Sequence, residues 1–145
     1  MLQRVLAAYR HRRRERRVLS VTLDAARLRA GRGAAYLDAA DPGWQARLDP
    51  AVLELSDGSH CVLGQLHGGF RQGLFRARIL DLSSAPLASL SPVDLGFQAR
   101  RDLGDEVEAL DYAYLTRAWR AEIDRRRAAA PAAPSAAQAA APVSA

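Results

Sequence analysis

Three stretches of the chain place apolar residues at helical spacing, and the polar residues between them mark the ends. Leu23, Ala26, Ala30, Ala34 and Leu37 form one stripe, with Leu28 and Tyr36 beside it, which predicts a helix over 23–40. Ser20 or Thr22 can cap it, and Asp24 sits in its first turn. Gly31 and Gly33 fall inside this pattern, where each costs about 1 kcal/mol relative to alanine. They either admit a neighbouring backbone or divide the element, and a single helix is the expectation.

The second stretch reads DGSHCVLGQLHGGF, residues 57–70. Leu63, Leu66, Phe70, Leu74 and Ala77 make a stripe that predicts a helix over about 60–80, capped by Ser56, Asp57 or Ser59. Gly64, Gly68, Gly69 and Gly73 strip side chains from one flank. That flank would let the 23–40 helix or the last helix approach closely and make this element central. The same glycines also suit a break near Gly68-Gly69.

The third stretch, about 105–128, carries Val107, Leu110, Tyr114, Ala118 and Ala121 in one row and Leu115, Trp119 and Ile123 in a second, a broad buried face. Asp102 or Asp105 would cap it. Asp105, Glu106 and Glu108 at its start and Arg125, Arg126 and Arg127 at its end match the helix dipole. Between the stretches, Asp41-Pro42-Gly43-Trp44 is a turn with glycine at the positive-φ position, and Trp44 folds back on the core. A short helical turn over 45–49 and a strand or 3₁₀ turn in PAVLEL follow. Pro86 and Pro92 keep 81–104 irregular, with Leu95 and Phe97 as core residues.

The pattern predicts an all-α protein: a domain of about three main helices over 18–127, a basic helical arm over 1–17 and a disordered Ala/Pro tail over 128–145. The arm places Leu2, Val5, Leu6 and Tyr9 at helical spacing before RHRRRERR. The segments GAAYLDAADPGWQARLD, LELSDGSHCVLGQL, LGF and LTRAW, within residues 31–123, resemble a group of small uncharacterised proteins of actinobacteria, related GC-rich bacteria and their phages. Those proteins share an LD…PGW…ID…C.LGQL…LGF pattern. The resemblance implies one folded domain and no particular activity.

Charge changes the picture in one place. All 21 basic residues are arginine, and residues 1–17 hold seven of them against one glutamate. The chain as a whole is +5, so the body is close to neutral and the basic character belongs to the arm. Arg10, Arg12, Arg13, Arg14, Arg16 and Arg17 are therefore the candidate nucleic-acid contacts, although no aromatic residue interleaves within that run. A basic amphipathic membrane-surface segment and a merely solubilising helix are the other readings of the arm.

Catalytic and metal chemistry find little support. His60 and His67 lie two helical turns apart, about 10 Å, too far to share an ion. Cys61 near a helix start would need a histidine and an orienting group to act as a nucleophile, and neither follows from the spacing. Asp38, Asp41, Asp49, Glu54 and Asp57 read as caps and turn formers before they read as a carboxylate patch. Gln65, if buried, should bond the preceding loop. GRG at 31–33 and GG at 68–69 match no nucleotide fingerprint. The expectation is a non-enzymatic interaction module without cofactor or metal, binding an unknown protein or its own copy. Nucleic-acid binding through the arm ranks second and an enzyme last. One cysteine and no apolar run long enough to span a bilayer point to the cytoplasm.

Overall fold

A computed structural model describes residues 1–79 and 91–131. Among them the chain forms five α-helices, one 3₁₀ turn and no strand: α1 (Leu2–Leu19), α2 (Leu23–Ala40), the 3₁₀ turn (Trp44–Arg47), α3 (Val62–His67), α4 (Phe70–Arg76) and α5 (Asp105–Ala129). The all-α expectation holds for these residues. The expected irregularity of 81–90, including Pro86, lies outside them, as does the tail expected over 128–145 from 132 onward, while residues 128–129 continue α5.

The α2 helix starts where its signals place it. The Thr22 hydroxyl accepts the Ala25 N–H at 3.1 Å, and Ala26, Ala30, Ala34 and Leu37 are buried along one side. Gly33 does not break the helix. A Cβ there would stand 2.0 Å from the Leu95 carbonyl oxygen and 2.7 Å from the Trp119 ring, so glycine is what lets the 91–97 backbone and α5 close on α2. Leu28, read as flanking the stripe, is 66 % exposed instead.

Packing of α2 along α5 forms the scaffold of the body. Leu115, Trp119 and Ile123 are buried, as the second row requires. The first row corrects the expectation of one broad face: Ala118 is buried, but Leu110 is 44 % exposed and Ala121 faces solvent. No side chain caps α5. Gly104 occupies the cap position, and its carbonyl accepts the Glu108 N–H at 3.0 Å, so neither Asp102 nor Asp105 plays that part. Trp119 is the centre of the core. It stacks on Phe97 with centroids 5.2 Å apart, meets Trp44 edge-on at 5.7 Å, and donates its indole N–H to the Gly96 carbonyl at 2.6 Å.

The continuous helix expected over 60–80 does not form; the break at the glycine pair does. Gly68 takes φ +88°, closes α3 by donating to the Gly64 carbonyl, and hands over to Gly69, which starts α4. None of Ser56, Asp57 or Ser59 caps α3. Cys61 does, its Sγ accepting the Gly64 N–H at 3.3 Å. The two short helices pack on each other, with a Cβ at Gly73 only 2.5 Å from the Leu63 Cβ. The glycine flank therefore serves the α3–α4 contact and the 58–59 backbone rather than α2 or α5. Leu63 and Leu74 are buried, while Leu66 and Phe70 are partly covered. PAVLEL is neither strand nor 3₁₀ helix: it runs through turns, with Leu53 and Leu55 buried and Val52 exposed.

One buried ionic cluster has no counterpart in the sequence reading. Arg29 on α2 and Asp111 on α5 are 4 % and 1 % exposed. The Arg29 guanidinium also donates to the Val93 and Gln98 carbonyls at 2.8 and 2.7 Å, and Asp111 accepts the Arg100 N–H at 2.8 Å. Two helices and the 91–100 segment are thus pinned by five charge-assisted bonds.

Candidate nucleic-acid interface

No residue of α1 is buried. Its sequence favours helix without tertiary help: alanine, leucine and arginine dominate, and Arg16 and Arg17 sit at the negative end of the dipole. Ser20 ends it, its hydroxyl donating to the Arg17 carbonyl at 2.6 Å.

Two sides of α1 differ in what they meet. His11, Arg14, Glu15, Val18 and Leu19 line a groove of about 660 Å³ against Leu103 and Val107. Within it His11 contacts Glu15 at 3.0 Å, one helical turn on. Arg14 donates to the Leu103 carbonyl and Arg17 to the Arg101 carbonyl, both at 3.3 Å, and Arg100 donates to the Ser20 hydroxyl. Two of the six candidate arginines therefore hold the helix to the segment before α5.

The other four, Arg10, Arg12, Arg13 and Arg16, are exposed, and their side chains make no hydrogen bond or ion pair with the described residues. Tyr9, Arg12, Arg13 and Arg16 line a second groove of about 240 Å³ to which the body contributes nothing. Their spacing is i, i+3, i+4 and i+7, one helical face. Tyr9 is 62 % exposed. No aromatic residue interleaves within the run itself, but the Tyr9 ring, one position before it, shares its face. The signal was present in the spacing and was absorbed into the apolar series Leu2, Val5, Leu6, Tyr9. Chemically, the face offers guanidinium forks for phosphate oxygens and a ring on which a base can stack.

The remaining candidates resolve into local roles. Cys61 is buried, its thiol is pushed up by burial, and it caps α3. The His60 imidazole turns to Asp57 at 3.0 Å, and the Asp57 carboxyl is held below its usual value by that contact and by the Ser59 and His60 N–H groups. His67 lies at the end of α3, apart from both. Among the described residues no three His, Cys, Asp or Glu side chains gather as a metal-binding group. The acids around the PGW turn each find their own partner. Asp38 accepts the Trp44 indole N–H at 2.8 Å and a fork from Arg126, Asp41 pairs with Arg47, Asp49 accepts the Ala51 N–H, and Glu54 accepts the Ser56 hydroxyl. Gln65 staples the preceding loop, accepting the Asp49 N–H at 2.7 Å and donating to the Asp49 and His60 carbonyls. No helix among the described residues is long and apolar enough to cross a membrane. No protein-family model, curated protein or solved structure matches the chain.

Proposed function

We propose that the protein is a non-enzymatic interaction module in which a packed helical body presents α1 to nucleic acid. The observation that carries this reading is the outward face of α1, where Tyr9, Arg12, Arg13 and Arg16 converge with no partner from the body. Arg10 adds a further uncommitted guanidinium, while Arg14 and Arg17 brace the helix from behind. Contacts of this kind are dominated by phosphate and tolerate sequence; a single ring favours strands with unpaired bases. The engagement of Cys61 in capping and of His60 with Asp57 fits a body without a catalytic centre.

The test is binding of a labelled single-stranded oligonucleotide across a salt series. Four phosphate contacts give a slope of log K against log salt of about −3. Absence of binding, or affinity that salt leaves unchanged, overturns the proposal.

A second reading, a protein partner or a second copy, rests on the first turns of α1, where Leu2 and Val5 are 76 % and 63 % exposed beside Leu6. It predicts a larger solution mass for the native chain than for a variant carrying Leu2→Ser, Val5→Ser and Leu6→Ser. Identical monomer masses remove the second copy.

A further inference from the structure

On the body, the ends of four segments meet around a cleft of about 600 Å³. The last turns of α2 supply Tyr36, Leu37, Ala40 and Asp41; the 3₁₀ turn supplies Arg47; α3 supplies His67; and the end of α4 supplies Arg76, Ala77 and Arg78. The Tyr36 hydroxyl donates to the Ala77 carbonyl and so ties the end of α4 to α2. Three guanidinium groups, one imidazole and one carboxylate line it. Asp41 is already paired with Arg47, whereas the guanidinium groups of Arg76 and Arg78 make no hydrogen bond or ion pair with the described residues. Uncommitted arginines on the wall of a concave site are placed for forked contacts to an oxyanion. The cleft falls in the size range of small-molecule sites, about 300–1,000 Å³, and exceeds what a bare phosphate fills.

We propose that this cleft binds a small phosphorylated molecule, with Arg76 and Arg78 on its phosphate oxygens, Arg47 as the third cation and His67 as a further donor. The apolar Leu37, Ala40 and Ala77 would cover the remainder of the ligand. His67 supplies a readout. Burial holds its pKa below the usual imidazole value; Asp41 opposes that, and Arg76 and Arg47 reinforce it. A bound phosphate adds negative charge beside the ring, so the imidazole's titration midpoint must rise on binding. This inference does not depend on α1.

The experiment is an NMR titration of the His67 imidazole with inorganic pyrophosphate at constant ionic strength, with chloride as the control salt. His60, paired with Asp57 outside the cleft, is the internal reference. The expected result is a saturable displacement of His67, a higher midpoint with pyrophosphate than with chloride, and at least tenfold weaker binding in Arg76→Gln, Arg78→Asn. Asparagine suits position 78 because φ there is +58°, and both side chains are exposed, so the fold should survive. Core resonances of Trp119 confirm that it does. Displacement of His67 no larger than that of His60, or unchanged affinity in the folded double variant, overturns the proposal. So does a response of His67 to a short oligonucleotide but not to pyrophosphate, which would assign the cleft to nucleic acid.

Discussion

The Arg29 guanidinium lies 2.9 Å from both carboxylate oxygens of Asp111, joining residues 82 positions apart across the α2–α5 contact. Neither side chain has water to fall back on. Removing one partner leaves the other charged and buried, at a cost of about 3–5 kcal/mol. Arg29→Met and Asp111→Asn should each lower the urea midpoint accordingly. The double variant Arg29→Met, Asp111→Leu should fall short of the summed losses by roughly 2 kcal/mol, since it leaves no orphan charge. Strict additivity in the cycle would contradict the coupling.

Two glycines on the same helix should answer differently to one methyl group. Gly33→Ala drives a Cβ into the Leu95 carbonyl and the Trp119 ring, and should destabilise by about 1–3 kcal/mol. At Gly31 the nearest atom, Glu122 Oε1, is 3.7 Å away, an ordinary contact. Gly31→Ala should therefore stabilise by up to about 1 kcal/mol through helix propensity. Thermal melts of the two variants check both signs.

Asp38 ties acid stability to α5. The Arg126 fork lowers its pKa most; partial burial opposes this, and the Trp44 N–H assists the lowering. A carboxyl with a depressed folded value stabilises the fold above its unfolded pKa. That contribution is lost as pH falls through the folded value. The wild-type protein should lose stability as pH falls below the ordinary Asp pKa of about 3.9, and Asp38→Asn should lose less over the same fall. Urea midpoints measured down that range test it; parallel curves would show that Asp38 contributes nothing. The side chain is 47 % exposed, so the difference should be modest.

Helices with a strong apolar stripe were legible from the residues, and α2 had its start signal as well. Thr22 and the stripe Ala26 to Leu37 define α2, and Leu115, Trp119 and Ile123 define the buried side of α5. The 60–80 segment misled because Leu63, Leu66, Phe70 and Leu74 keep helical phase across Gly68-Gly69, so periodicity alone does not register the break. Arg29 escaped because a charge at the edge of an apolar stripe reads as solvent-facing. Nothing near it in sequence points to Asp111 or to the Val93 and Gln98 carbonyls. Tyr9 was hidden in an apolar series whose other members are also exposed. The phosphate cleft joins the ends of four separate segments, and no local pattern announces such a meeting.

The central claim is that nucleic-acid affinity resides in the outward face of α1 and not in arginine content as such. Arg32 on α2 and Arg117 on α5 are exposed arginines of the body whose side chains have no partner among the described residues, and they provide a two-arginine control. The most direct measurement compares single-strand affinity of Arg12→Gln, Arg13→Gln, Arg16→Gln with that of Arg32→Gln, Arg117→Gln at one fixed salt concentration. The account predicts a loss of tenfold or more in the α1 variant, a salt slope shallower by about 2, and no more than a small change in the body variant. Losses proportional to the number of arginines removed, wherever they sit, would contradict it.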